Sequence, residues 1–375
     1  MNSTLRSGKF LAGLSAALLA CGLHLAPAEA APSLVVDLKT GVVLAEEDAT
    51  QRWYPASLSK LMTAYVVFRA IQAGEVTLKS PVRMSKNAAK EPPSKMGYKP
   101  GSILTIDNAL KILMVKSAND VATAVGESIA GSQKAFADRM NAESRRLGMT
   151  GSHWVNAHGL HAEQQYSTAR DLALLAVAIR KEFPQFADYF TIEGLLAGQT
   201  KMPNHNTLIG RFEGADGMKT GFICPSGFNV IASATRGERT VIAVVVGAPS
   251  IEERAQKAAD LLAKGFDTNP AVGPSLAALK SSGPEQDVAP NMRPVICSEE
   301  ARTARMATRG EDGSRTVTSP HLVEMDREPT LVVVELGGAT GPKAPNAAEE
   351  VEYANVPIPT PRPDYTPSVS ATAVQ

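Results

Sequence analysis

An α/β (α+β) fold, an antiparallel sheet flanked by helices with a helical subdomain inserted, is predicted by the order in which three patterns follow one another. A hairpin and a helix open the region after residue 31, helical periodicity dominates residues 105–190, and strands closed by one more helix follow residue 215. The hairpin is signalled by Leu34–Asp37 and Val42–Glu46 flanking Leu38-Lys39-Thr40-Gly41, with glycine at the turn. After Pro55, Leu61, Ala64, Tyr65, Phe68 and Ile71 recur at helical spacing until Gly74 stops the helix. The helical insert is clearest at Ile106–Val115, Asp120–Ile129 and Ala135–Leu147. Strands are expected at Met218–Phe222, Phe228–Ala234 and Thr240–Val246, the last two joined by Arg236-Gly237-Glu238-Arg239, and a helix at Ile251–Leu262.

Both ends fall outside this pattern. Arg6 and Lys9 precede the apolar stretch Phe10–Ala20, and Ala28 and Ala30 flank Glu29 as in a cleavage site, so residues 1–30 read as a secretory signal peptide. The stretch is short for a transmembrane helix, and Leu19 fits poorly as the residue two before a lipidated Cys21. The mature chain is therefore expected beyond the inner membrane, in the periplasmic or cell-wall space. Beyond residue 268 the composition changes: 14 of the 25 prolines lie in residues 270–375, but only Tyr353 and Tyr365 among the aromatics. Residues 31–268 are accordingly expected to form the catalytic domain, and 269–375 a largely disordered tail dispensable for chemistry. Local order is expected only at Arg293–Ala304, as a helix, and at Thr330–Leu336, as a strand, with polyproline-like chain over Pro357–Pro363. No amphipathic helix rich in aromatic and basic residues closes the sequence, so no membrane anchor is indicated.

Composition excludes several functions. With 38 basic and 38 acidic residues the formal net charge is zero, which gives no electrostatic footprint for nucleic acid. No glycine-rich phosphate loop is present, and no cofactor is expected. Cys21, Cys224 and Cys297 are too few and too scattered for a disulfide framework or a cysteine-rich metal site, so no metal is expected.

Three short motifs carry chemistry. In Pro55-Ala56-Ser57-Leu58-Ser59-Lys60, helical i, i+3 spacing places the Ser57 hydroxyl beside the Lys60 amine. A serine hydroxyl needs a base to become nucleophilic, and a lysine serves if burial or neighbouring positive charge lowers its pKa. Alone, the pair also suits an ordinary helix surface. Ser117-Ala118-Asn119 offers a hydroxyl to relay protons and an amide for a substrate peptide, or simply a helix cap. Lys219-Thr220-Gly221 offers a cation and a hydroxyl for a carboxylate, with a glycine that lets substrate backbone lie close, or an exposed strand lysine.

Taken in order, with Tyr54–Thr63, Asn156–Leu160, Tyr166–Asp171 and Asp216–Phe222 around them, these motifs resemble the serine penicillin-binding proteins, specifically the low-molecular-weight D-alanyl-D-alanine carboxypeptidases. The resemblance covers residues 31–268 and implies a β-lactamase/transpeptidase-like fold. It implies that Ser57 is acylated with Lys60 as base, that Ser117 relays protons, and that Asn119 positions substrate. Lys219 and Thr220 would receive the terminal carboxylate beside Gly221, the backbone amides of Ser57 and Phe222 would form the oxyanion hole, and Arg254 matches an arginine near the carboxylate site, if it is not a solvated helix residue. The implied partners are a peptidoglycan stem peptide and, as covalent inhibitors, β-lactams. His158 reads as a structural loop histidine. A class A-like β-lactamase would need a Glu-x-x-x-Asn loop, but Glu163 is followed at that interval by Ser167, and a non-enzymatic wall-binding protein would be expected to have lost Ser57 or Lys60.

Overall fold

The computed structural model describes residues 31–309, 317 and 319–347. The signal-peptide reading of 1–30, the candidate lipidation site Cys21 and the proline-rich Pro357–Pro363 lie outside the described residues. Strands β1 (Ser33–Asp37) and β2 (Val43–Glu47) form the expected hairpin. Its turn is closed by Asp37, whose Oδ1 accepts from the Thr40 backbone at 2.9 Å. A 3-10 turn, Ala56–Leu58, carries Ser57 and leads into α1 (Ser59–Gln72). Helix α1 buries Leu61, Met62, Tyr65, Val66 and Phe68, apolar around most of its circumference, because it runs through the centre of the molecule.

The helical subdomain follows. A two-stranded ribbon, β3 (Pro81–Arg83) with β4 (Ile103–Thr105), brackets the short helix α2 (Lys86–Ala89). Helices α3 (Ile106–Val115), α4 (Asn119–Ala130) and α5 (Gln133–Leu147) come next, close to the expected limits. Thr105 caps α3 by accepting from Asn108 N, Ser132 caps α5 in the same way, and left-handed Gly131 and Gly148 end α4 and α5. Helix α6 (Ala169–Glu182) returns across the sheet to α7 (Asp188–Thr191) and the hairpin β5 (Gly194–Ala197) and β6 (Thr200–Pro203).

The expected meander is β7 (Ala215–Ile223), β8 (Gly227–Arg236) and β9 (Arg239–Ala248), followed by α8 (Ile251–Asp267). The main sheet is antiparallel in the order β2-β1-β9-β8-β7, which leaves β7 on an edge. Alternate residues on its central strands enter two different cores. Val35, Val230, Val241, Ala243 and Val245 meet Ala258, Ala259 and Leu262 of α8, whereas Leu34, Val36, Ile231, Ile242 and Val244 meet the helices opposite. Burial on both faces explains why these strands are nearly continuously apolar.

The C-terminal segment departs from the composition-based reading. Residues 269–309 and 319–347 pack on the domain, adding α9 (Arg293–Ile296), α10 (Glu299–Ala307) and β10 (Leu331–Val333). A strand lies within the expected Thr330–Leu336, whereas the helix expected over Arg293–Ala304 is broken into two at Cys297-Ser298, where Ser298 caps α10, and the described residues of this segment are not a free tail. Its apolar residues are few but each fills a gap: Leu276 and Val334 are buried in the main core and Ile296 in the core beneath α8. Its backbone completes exposed edges, with β10 pairing parallel to β5 and Val43 N donating to Pro274 O. A disulfide, Cys224–Cys297, closes a loop of 73 residues. The cysteine count had pointed away from disulfide chemistry because two thiols so far apart in sequence carry no spacing signal. Closing a loop of that length is worth about 4 kcal/mol. A chain ending at residue 268 is therefore expected to lower Tm by about 10 °C or more. An unchanged thermal transition would show that the segment adds nothing to the core.

Candidate active site

The site is assembled where the turn before α1, the α3–α4 junction and the edge strand β7 meet. Ser57 lies on the 3-10 turn behind Ala56, whose φ of 49° is unusual for a residue with a side chain. Two glycines let neighbouring chain press against this turn. A Cβ on Gly159, at φ 88°, would lie 1.8 Å from Ala56 O, and one on Gly221 would lie 2.9 Å from Ser57 N. The edge of β7 therefore runs directly beside the Ser57 backbone.

Lys60, one turn into the helix, is fully buried. Its Nζ lies 2.8 Å from Asn119 Oδ1, 2.6 Å from the His158 carbonyl oxygen and 3.1 Å from Ser57 Oγ. The first two partners can only accept. A neutral amine has two N–H donors and one lone pair, so when both donors are taken by these oxygens the lone pair faces the Ser57 hydroxyl. Burial holds the Lys60 pKa well below its ordinary value of 10.5, and the positive charge of Lys219 lowers it further against the opposing pull of Asp120 and Glu91.

Ser117, at φ 59°, occupies the sharp junction between α3 and α4. It does not cap α4, whose N-cap is Ala118 with no side-chain bond. Its Oγ instead accepts from Lys219 Nζ at 3.0 Å, and the same Nζ donates to Thr220 O at 2.9 Å. Lys219 is buried, not an exposed strand lysine, and burial together with the Arg254 charge lowers its pKa to about 7. Asn119 ties Lys60 to the preceding loop, since its Nδ2 donates to Pro92 O at 3.0 Å and its backbone N to Ser94 O at 2.7 Å. One amide N–H of its side chain is left over from these contacts for a substrate.

Ser57, Ser117, Asn119, Thr220, Gly221 and Phe222 line one cavity of about 550 Å³, with Lys60 and Lys219 beneath its floor. Arg254 reaches the same cavity from the first turn of α8 and is only 3% exposed, which removes the solvated-helix reading. Its Nη2 donates to His205 O at 2.9 Å. The structure thus brings together every residue singled out from the three motifs. His158 is held on both ring nitrogens: Nδ1 accepts from Leu160 N at 3.0 Å and Nε2 lies 3.4 Å from the Glu91 carboxylate. It contributes its carbonyl to Lys60, a role that no side-chain pattern could have signalled. Asp120 was also missed; buried at the start of α4, its carboxylate accepts from Met96 N and Gly97 N and folds the loop that carries Pro92 and Ser94. Glu163 is exposed and is absent from the cavity lining.

Comparison with known proteins agrees with this geometry. The chain matches the peptidase S11 family, described as D-alanyl-D-alanine carboxypeptidase, over residues 23–250. It is 36% identical over 240 residues to the D-alanyl-D-alanine carboxypeptidase DacC of Escherichia coli strain K12, covering 62% of this chain and 60% of that protein. It is 32% identical over 249 residues to DacF of Bacillus subtilis, covering 64% of each. The similarity to DacC and to DacA of Escherichia coli therefore spans about 60% of their length. Among solved structures, penicillin binding protein 6B from Escherichia coli superposes with a TM-score of 0.61 at 36% identity, covering 64% of this chain and 78% of that one. Penicillin-Binding Protein D2 from Listeria monocytogenes, in its cefotaxime-bound form, gives 0.58 at 28% identity, covering 64% and 97%.

Proposed function

Because the chain belongs to the D-alanyl-D-alanine carboxypeptidase family, we propose that it removes the terminal D-alanine from peptidoglycan stem peptides through an acyl-enzyme on Ser57. The observation that carries this reading is the commitment of both Lys60 donors to oxygens that cannot give a proton back, which aims the amine at Ser57 Oγ. Lys60 takes the hydroxyl proton as Ser57 Oγ attacks the penultimate carbonyl. The backbone amides of Ser57 and Phe222 receive the developing oxyanion, a role supported by the close approach of Gly221 to Ser57 N. The proton passes by way of Ser117 to the nitrogen of the departing D-alanine. Water then hydrolyses the ester and restores Ser57. Thr220 and Arg254 face the cavity where the terminal carboxylate would lie, and Lys219 contributes its charge from below.

The disulfide Cys224–Cys297 supports action outside the cytoplasm, where such bonds persist. No helix among the described residues is long and apolar enough to cross a membrane. β-Lactams are proposed as covalent inhibitors, because a cyclic amide with a nearby carboxylate presents the same groups to Ser57 and to Thr220. The exposed position of Glu163 gives no support to a β-lactamase in which that carboxylate activates water.

A D-Ala-D-Ala pentapeptide is expected to yield one D-alanine and the tetrapeptide, and a penicillin is expected to leave one adduct, mapped by mass spectrometry to Ser57. An adduct on Ser117 or Ser59 would overturn the assignment. Ser59 Oγ is already engaged, donating to Ala56 O at 2.8 Å and accepting from Gln165 Nε2 at 3.1 Å.

A further inference from the structure

The family match ends at residue 250, yet the chain returns to the cleft after it. Cys224, two residues beyond Phe222, is bonded to Cys297 immediately ahead of α10, so this helix is tethered to the end of β7. Arg305, in the last turn of α10, and Arg309, just past its end, line the cavity that contains Ser57 and Thr220. Arg305 is fixed there. Its Nη2 donates to Ile296 O at 2.6 Å and its Nη1 to Pro249 O at 3.4 Å. Its guanidinium lies 5.7 Å from the centroid of the Phe228 ring, which stacks on Phe222 at 4.2 Å. Arg309 is exposed at the rim. Among the described residues, Lys116 and Arg254 add two more cations to the lining, against the carboxylate of Glu252.

The direction of β7 says which part of a substrate these arginines would meet. A peptide whose C-terminal carboxylate lies near Lys219 and Thr220, and whose scissile carbonyl reaches the Phe222 amide, has its preceding residues running toward Ile223 and Cys224. That is the end of the strand to which α10 is tied. Phe222, 41% exposed, and Phe228 form an apolar floor there. Two guanidinium groups in one lining with an apolar floor suit a carboxylate on a mainly aliphatic side chain.

We propose that Arg305 and Arg309 form an anion subsite that selects peptides bearing a side-chain carboxylate on the residue before the D-alanine pair. This rests on the carboxypeptidase reading of the cleft. Lying beyond the family match, the subsite belongs to this chain's own C-terminal segment.

The test uses the full chain with its disulfide intact and two peptides, acetyl-aminoadipyl-D-Ala-D-Ala and its side-chain amide. Wild type is expected to favour the acid by about three- to tenfold in kcat/KM at low ionic strength, and this ratio should shrink as salt is added. Arg309→Gln should bring the ratio close to one, and Arg309→Glu should invert it. Arg309 is exposed, so neither change threatens folding. A wild type without preference, or an acid preference that survives Arg309→Glu, overturns the subsite. Release of D-alanine from neither peptide would instead bring down the carboxypeptidase reading, and the subsite with it.

Discussion

Lys60→Met is expected to slow acylation of Ser57 by about a thousandfold or more, near the upper range for removal of a positioned general base. Methionine fills the buried channel, so the loss should not come from collapse of α1. Two changes in stability oppose one another. The variant leaves Asn119 Oδ1 and the His158 carbonyl without their donor, but it removes an amine that is costly to bury. The sign of the pH dependence separates them. Lysine is protonated below about 10.5 in the unfolded chain, whereas burial lowers the Lys60 pKa in the folded one. The unfolded state thus binds more protons, and wild-type stability should rise with pH between the lowered pKa and about 10.5. Lys60→Met should flatten its share of that rise. Quenched-flow labelling with a penicillin reads the acylation rate, and a variant acylated within tenfold of wild type would dismiss Lys60 as the base.

Lys219→Gln is expected to lower kcat/KM on D-Ala-D-Ala peptides by about ten- to a hundredfold, the value of a charge-assisted hydrogen bond. The structure refines the expectation that Lys219 serves the terminal carboxylate. Because Nζ is bonded to Ser117 Oγ and Thr220 O, part of the loss should also appear with a peptide whose terminal carboxylate is converted to an amide. The remainder, specific to the carboxylate, reports the charge that Lys219 and Arg254 place beneath the cavity. Equal losses on the two peptides would confine Lys219 to the relay with Ser117.

Much of this was legible in the sequence, and for identifiable reasons. Ile106–Val115 could be read to the residue from its apolar period, and the structure adds the Thr105 cap at its start. Strands β8 and β9 of the meander were clear because they are largely apolar on both faces and their connecting turn carries Arg236-Gly237-Glu238-Arg239. Ser57, Lys60, Ser117 and Lys219 were found because short side-chain motifs carry them, and those motifs meet at one site in the fold. What escaped was set by tertiary contact. The positive φ values of Ala56 and Ser117 occur in residues that give no turn signal. The His158 carbonyl has no sequence identity at all. The segment after residue 268 was underestimated because composition averages over its length, whereas Leu276, Ile296 and Val334 act singly, each at a gap left by the domain.

The account turns on Lys60 being neutral when Ser57 attacks, and the pH profile of the β-lactam acylation rate reads this directly. In wild type the ascending limb should lie well below 10.5, because burial and the Lys219 charge both favour the neutral amine. In Lys219→Gln one of these causes is gone, and the limb should move to higher pH. A wild-type limb close to 10.5, or one that moves to lower pH in Lys219→Gln, would contradict the lysine-base mechanism.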